Sequence, residues 1–145
     1  MPIADGRLKD ERMHQLNEHK MPDFLKSYIF TDGLIRRASI DYGHHGVEKS
    51  HGVIDVSVRT AGEKKNWVNL HFRMEGLEGF QLRQAPHTTR EVLFDGVSAH
   101  WFGGMCYLDF SRDCHSRRSI ADYADAEFYF IGRRCMWDQL PYSDK

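Results

Sequence analysis

The stretch 52–74, GVIDVSVRTAGEKKNWVNLHFRM, contains two runs in which apolar and polar residues alternate. An apolar residue at every second position is the period of a β-strand with one buried face. The polar segment AGEKKN between the runs is short enough to close a hairpin. The stretch therefore predicts an antiparallel hairpin whose inward residues are Ile54, Val56, Val58, Val68, Leu70, Phe72 and Met74.

Further strands are predicted on both sides of this hairpin. Leu34–Tyr42 alternates, and Phe80 and Leu82 in GFQLRQ are expected to keep the inward parity. Three apolar segments separated by Asp-Gly and Gly-Gly follow, and FYFIGRRCMWDQL forms a closing strand interrupted at Gly132. Crossover helices of ten or more residues are missing between these segments, which disfavours a parallel sheet. We predict a mainly β fold, an antiparallel β-sandwich or strongly curled sheet with one or two short helices.

Helical signals are brief. Pro22 and Asp23 predict a helix of one or two turns, and the spacing from Ser119 to Asp122 is typical of a capping box. Residues 7–19 have a thin helical pattern. Because the chain lacks linker composition and repeats, we predict a single domain over 1–145, with 1–22 as a peripheral arm or short helix.

Composition narrows the function classes. The 145 residues include 20 Lys plus Arg and 21 Asp plus Glu, for a net charge of -1. This balance argues against nucleic-acid binding, which relies on an excess of positive charge. The sequence has neither an apolar run of membrane-spanning length nor the apolar centre of a signal peptide near its start. We therefore expect a cytoplasmic protein without a membrane partner.

The three cysteines form no CxxC pair, so reduced thiols are expected. Cys106 and Cys135 lie in apolar segments and are predicted to be core residues. Cys114 and His115 are adjacent in a polar loop, and a catalytic Cys-His pair there would need a turn.

The stretch 42–52, YGHHGVEKSHG, raises the question of a metal site. His44 and His45 are neighbours and His51 is six residues further on, which is not a spacing that converges imidazoles on one ion. Its glycines and the flanking strands instead predict a hairpin tip. Metal binding by these three histidines is kept only as an outside alternative.

Catalytic motifs are missing from the sequence. It has no GxSxG, HExxH, Walker loop or GxGxxG. An acid–base pair across the hairpin is geometrically allowed, because outward Asp55 lies near outward Asn69, His71 or Arg73. Such cross-strand pairs are usually ordinary surface contacts. We expect neither a cofactor nor an enzymatic activity.

Aromatic and basic residues on outward positions favour a protein-binding surface. Trp67, His71 and Arg73 share the outward parity of one strand, and Trp101 is a further candidate anchor. The loop SRDCHSRRS carries the local basic cluster and would form the rim of such a surface. The candidate partner-binding residues are Trp67, His71, Arg73, Trp101, Arg112, Arg117 and Arg118.

The second half of the chain resembles a known group of proteins. The order LHFRMEGLEGFQLRQAP, VLFDGVSAHWF with YLDFS, and ADAEFYFIGRRCMWDQLP is similar to that in small, uncharacterised bacterial β-rich proteins. Some members of this group look like immunity proteins encoded beside toxins. The resemblance covers about Tyr28 to Pro141 and implies a β fold and binding of a cognate toxin. It carries over no functional residue.

Three hypotheses follow. The first is a non-enzymatic bacterial immunity protein that binds and neutralises a cognate toxin. The alternative is a small metal- or ligand-binding enzyme that uses His44, His45, His51 or the Cys114–His115 pair. A third is a homodimer or structural subunit that pairs through an open sheet edge.

Overall fold

The computed structural model describes residues 13–43, 50–83, 93 and 96–142. These residues form nine strands, one α-helix and two 3-10 helices. No helix in these ranges is long and apolar enough to cross a membrane. In chain order the elements are β1 His14–Leu16, α1 Met21–Ser27, β2 Tyr28–Asp41, β3 His51–Thr60, β4 Trp67–Glu75, β5 Gly79–Leu82, β6 Ser98–Phe102, β7 Met105–Asp109, the 3-10 helices Cys114–Ser116 and Ile120–Asp125, β8 Phe128–Gly132 and β9 Arg134–Pro141.

The strands make two antiparallel sheets. The larger sheet has five strands in the order β1-β9-β4-β3-β2, and the smaller has four in the order β5-β8-β7-β6. One apolar core contains buried side chains from both sheets. The predicted mainly β, antiparallel fold with few short helices is therefore confirmed.

The hairpin predicted from residues 52–74 is the centre of the larger sheet. Val58 pairs with Val68 and Ile54 with Phe72, in antiparallel register. The seven predicted inward residues of β3 and β4 are all buried. Alternation alone therefore identified both the pairing and the core-facing side of these strands.

The two sheets join at a corner where two paired strands bend together. The Glu75 carbonyl accepts a bond from Arg133 N at 2.8 Å, and the Ile131 carbonyl accepts one from Glu78 N at 2.8 Å. The β4–β9 pairing thus continues into β5–β8. Gly132 allows the bend, because a Cβ there would lie 2.3 Å from Met74 Cγ.

Helix α1 covers one side of the core with aromatic contacts. The ring of Phe24 lies 5.9 Å from that of Phe72 and 4.8 Å from that of Trp137, both edge-on. Offset and edge-to-face contacts of this kind are favourable for aromatic pairs. The short helix predicted at Pro22 and Asp23 is confirmed, and Phe24 is the residue that anchors it.

Strand β5 keeps the predicted inward parity, but it is an edge strand of the smaller sheet, so its inward residues are incompletely covered. Phe80 and Leu82 are 38% and 47% exposed, whereas Leu77 is buried. Phe80 pairs with the buried Phe130, with their ring centroids 6.3 Å apart, and Leu82 pairs with the buried Phe128. Directly paired residues project from the same face of a sheet, so Phe80 and Leu82 are on the core side and their exposure follows from the edge position of β5.

The N-terminal segment also differs from its helical pattern where it is described. His14–Leu16 is a strand that pairs with β9, with Leu16 opposite Cys135. Leu16 is almost fully buried. The helical pattern has few apolar residues, and burial of Leu16 together with backbone pairing to the edge of β9 favours a strand instead.

Several smaller predictions are confirmed. Ser119 and Asp122 form a capping box at the second 3-10 helix. Cys106 and Cys135 are fully buried and reduced, and a hydrogen bond between their thiols raises the pKa of Cys106 well above its ordinary value. Asp41 pairs with His51 in the antiparallel β2–β3 ladder; residues 44–49, where the hairpin tip was predicted, lie outside the described residues.

Candidate functional site

The outer face of the five-stranded sheet, the side turned away from the core, carries the predicted acid–base pair. Across β3 and β4, Asp55 lies opposite His71, with their Oδ1 and Nδ1 atoms 2.5 Å apart. The other carboxylate oxygen of Asp55 lies 3.0 Å from Nε of Arg37 on β2. One half-buried carboxylate therefore holds a guanidinium and an imidazole on neighbouring strands.

An Asp–His pair orients an imidazole, which is part of the machinery of a catalytic triad. Ser57, two residues along β3, does not supply the nucleophile, because it is fully buried. Its hydroxyl donates to Asn69 Oδ1 at 2.6 Å and accepts from Arg36 Nε at 2.9 Å. We interpret the outer-face polar groups around Asp55 and Ser57 as cross-strand ties, that is, side-chain contacts that link neighbouring strands.

An aromatic patch lies at one end of the outer face. Trp67 and Tyr142 are 40% and 45% exposed, and their ring centroids are 6.0 Å apart. The guanidinium of Arg59 lies over the Trp67 ring at 5.8 Å, and that of Arg36 lies over the Tyr142 ring at 5.8 Å. The aromatic patch comprises Arg36, Arg59, Trp67, Leu140 and Tyr142.

The register explains why these residues meet. Arg59 is directly opposite Trp67, and Pro141 is directly opposite Val68, so Tyr142 follows next to Trp67. Arg36 Nη2 donates to Tyr142 Oη at 3.1 Å. These contacts fix the orientation of both exposed rings in the unbound protein.

An arginine cleft of about 330 Å³ lies at the other end of the outer face. Glu75 Oε1 lies 2.6 Å from Arg134 Nη2, and Glu75 Oε2 lies 3.6 Å from Arg73 Nε. The cleft is polar and carries more positive than negative side chains. Gly76 lies at its edge, and the other lining residues are Ser50, His51, Arg73, Glu75, Arg133 and Arg134.

A histidine cleft of about 510 Å³ lies elsewhere, between α1 and β6. Burial lowers the pKa of His100, with smaller opposing contributions from Asp109 and Glu18. The neutral imidazole is therefore favoured there. The lining residues include Glu18, Met21, Leu25, His100, Trp101 and His115.

The predicted basic loop is largely organised around one buried ion pair. Arg117 Nε lies 2.9 Å from Asp109 Oδ2, and their side chains are 9% and 0% exposed. Arg117 also donates to the carbonyls of Asp122 and Arg112. Since its guanidinium is engaged inside the protein, we leave Arg117 out of the proposed binding surface. Arg112 and Arg118 are exposed.

The predicted partner-binding residues therefore fall into separate places. Trp67, His71 and Arg73 share the outer face of β4, but Trp101 lines the histidine cleft and the basic loop follows β7 in the smaller sheet. Sequence reasoning missed Arg36, Arg59 and Tyr142 in the aromatic patch and Arg133 and Arg134 in the arginine cleft. Outward parity opposite Trp67 could have identified Arg59. Arg36 lies at a bulge in β2 and Arg133 at the corner between the sheets, while Tyr142 and Arg134 reach their sites through the long-range β4–β9 pairing.

The histidines considered for metal binding are also separated. His51 lines the arginine cleft, and His115 lines the histidine cleft. His44 and His45 lie outside the described residues. Within the described ranges, no group of three or more His, Cys, Asp or Glu side chains is arranged to hold a metal ion.

No protein-family model, no curated protein and no solved structure matches the chain.

Proposed function

We propose that this chain is a non-enzymatic protein-binding protein that docks its partner on the outer face of the five-stranded sheet. The observation that carries the proposal is the aromatic patch, in which exposed Trp67 and Tyr142 are each held by an arginine. Trp, Tyr and Arg are the residue types that contribute most to binding energy at protein interfaces.

The patch is suited to binding because its rings are already ordered. A side chain that is immobilised on binding costs about 0.5–1.5 kcal/mol. The cation–π contacts of Arg59 with Trp67 and of Arg36 with Tyr142 reduce this cost before the partner arrives. The patch is also cationic, so we expect the partner to present aromatic or apolar groups beside acidic ones.

The narrower proposal is that the partner is a bacterial toxin that this protein neutralises. It rests on the resemblance of the strand runs and turn glycines to small bacterial proteins of which some look like immunity proteins. An immunity protein acts by occluding a toxin, and a rigid sheet with preformed anchors is suited to occlusion.

The test compares two matched surface variants as baits in extracts of the source cells. Trp67→Ala/Tyr142→Ala removes the aromatic patch, and Phe80→Ala/Leu82→Ala removes two exposed apolar side chains from the smaller sheet. We expect a specific partner with the wild type and the second variant but not with the first. Loss of the partner with the second variant alone would place the surface on the smaller sheet.

Growth rescue tests the toxin proposal separately. The candidate toxin is the partner recovered above, or the product of a neighbouring gene, expressed with or without this protein. We expect rescue by the wild type and by Phe80→Ala/Leu82→Ala, and no rescue by Trp67→Ala/Tyr142→Ala. A partner that binds the patch but does not impair growth would retain the binding function and remove the immunity role.

The histidine cleft favours a second candidate function, binding of a small ligand. His100 Nδ1 is buried and has no hydrogen-bond partner among the described residues, while apolar side chains including Trp101 form the walls. A ligand with an aromatic ring and one hydrogen-bonding group would suit such a cleft. Screening small aromatic compounds by NMR against wild type and His100→Asn tests it; hits that shift both proteins alike would reject this site.

A further inference from the structure

We propose that the arginine cleft binds the phosphoryl group of a small phosphorylated ligand, held by the guanidinium groups of Arg133 and Arg134 with Arg73 behind them. This inference goes beyond partner binding, since the cleft lies at the opposite end of β4 from the aromatic patch. The two proposals therefore stand on different residues.

Strand register assembles the cleft from three strands. Glu75 on β4 lies opposite His51 on β3 and opposite Arg134 on β9. Directly paired residues on one face of a sheet bring their side chains within contact distance. Arg73 lies two residues before Glu75 and so projects from the same face. The backbone thus places the cationic groups without relying on a mobile loop.

Arg133 reaches the cleft because Gly76 leaves space for it. A Cβ at Gly76 would lie 2.9 Å from both Cγ and Cδ of Arg133, and Gly76 has a φ of +62°. Both features disfavour any side chain at this position. The aliphatic part of Arg133 therefore lies across the end of β4, and its guanidinium reaches the rim of the cleft.

Charge in the cleft favours an anion. Three arginines line it against a single carboxylate, Glu75, and Glu78 adds a second carboxylate 3.5 Å from Arg133 Nη2. Even with both acids counted, the excess is one positive charge. Glu75 also orients Arg134, whose fork has five N–H donors and can bind a second acceptor beside that carboxylate.

The shape and donor type point to a phosphoryl group. Planar guanidinium groups pair with phosphate through two parallel hydrogen bonds, and arginines are favoured wherever this recognition occurs. Arg133 and Arg134 have 53% and 60% of their side chains exposed, so a ligand can reach them. A cleft of about 330 Å³ is at the lower end of the range for small-molecule sites and leaves room for more than the phosphoryl group itself.

The experiment titrates the full chain with inorganic phosphate at constant ionic strength and follows amide chemical shifts by NMR. We expect saturable shifts at residues of the arginine cleft. Arg133→Gln and Arg134→Gln should each weaken phosphate binding at least about tenfold, because each removes a charge-assisted pair. Arg118 is an exposed arginine between the two 3-10 helices, and Arg118→Gln is the matched control that should bind as the wild type does. The Trp67→Ala/Tyr142→Ala variant should also retain phosphate binding.

Three outcomes would overturn the proposal. The first is the lack of saturation up to tens of millimolar phosphate. The second is equal weakening by Arg118→Gln, which would mean that only overall charge matters. The third is tighter binding of succinate than of phosphate in a parallel titration, which would make the cleft a carboxylate site. None of these results bears on the aromatic patch.

Discussion

His71 Nδ1 and Asp55 Oδ1 lie 2.5 Å apart across the β3–β4 hairpin, and the same carboxylate reaches Arg37 on β2. One acid thus connects three neighbouring strands at the middle of the outer face. The aromatic patch lies towards one end of this tie and the arginine cleft towards the other. This cross-strand tie therefore lies between the two proposed sites.

Replacing Asp55 by Asn tests this tie. The carboxylate and the imidazole are each about one-quarter exposed, so solvent screens the pair and we expect a loss of about 1 kcal/mol in the free energy of unfolding. Urea denaturation measures it, with Glu63→Gln in the exposed β3–β4 turn as the control. A loss no greater than that of the control would mean that the tie does not stabilise the sheet.

Replacing Arg117 by Met should be far more damaging. It leaves the fully buried Asp109 carboxylate without its cation, and removing one partner of a buried ion pair costs about 3–5 kcal/mol. Arg118→Met is the matched control, since Arg118 is exposed, and it should change the free energy of unfolding by less than about 0.5 kcal/mol. Equal effects of the two substitutions in urea denaturation would show that the buried pair is not the structural centre of the loop.

Gly132→Ala tests the corner between the sheets. The added Cβ would lie 2.3 Å from Met74 Cγ and 2.9 Å from the Glu75 carbonyl oxygen, so we expect destabilisation of about 1–3 kcal/mol. At Gly79 the nearest atom to such a Cβ is Ile131 Cδ1 at 3.4 Å. Thermal unfolding should therefore show a clear loss for Gly132→Ala and a small change for Gly79→Ala. Similar melting temperatures for both variants would contradict the close packing at the corner.

Acid sensitivity should depend in part on His100. Folding lowers its pKa, chiefly through burial, with Asp109 and Glu18 opposing and His115 and Arg117 reinforcing the shift. As pH falls through the ordinary histidine pKa of about 6.5, the unfolded chain therefore takes up a proton at this position more readily than the folded one. Stability is lost over that window and is fully present above it.

His100→Asn removes this contribution. We expect the free energy of unfolding of the variant to fall less steeply between about pH 7 and pH 5 than that of the wild type. Urea denaturation at several pH values provides the comparison, with the exposed His19→Asn as the control. Parallel pH profiles for the wild type and His100→Asn would contradict the assigned environment of His100.

Sequence alternation was sufficient where a strand is regular and one of its faces is buried. It identified the inward residues of β3 and β4, and it gave Asp55 three candidate partners, of which the structure selects His71 as an ion-pair partner. It also gave the correct face for Phe80 and Leu82 but not their exposure, because the edge position of β5 depends on the order of strands in the sheet and not on alternation.

Contacts between residues that are far apart in the sequence could not be predicted from local sequence patterns. Tyr142 reaches Trp67 only because β9 pairs with β4, and Arg134 reaches Glu75 for the same reason. Their separation along the chain is more than 50 residues, and no local pattern encodes such a pairing. The aromatic patch and the arginine cleft therefore became visible only in the folded chain.

The dissociation constant of the recovered, purified partner tests the central claim most directly. It is measured by calorimetry for the wild type, Trp67→Ala/Tyr142→Ala and Phe80→Ala/Leu82→Ala. We predict that the first variant binds at least about 30-fold more weakly, which corresponds to about 2 kcal/mol, and that the second stays within about twofold of the wild type. Wild-type affinity in a correctly folded Trp67→Ala/Tyr142→Ala protein would contradict the assignment of the outer face as the binding surface.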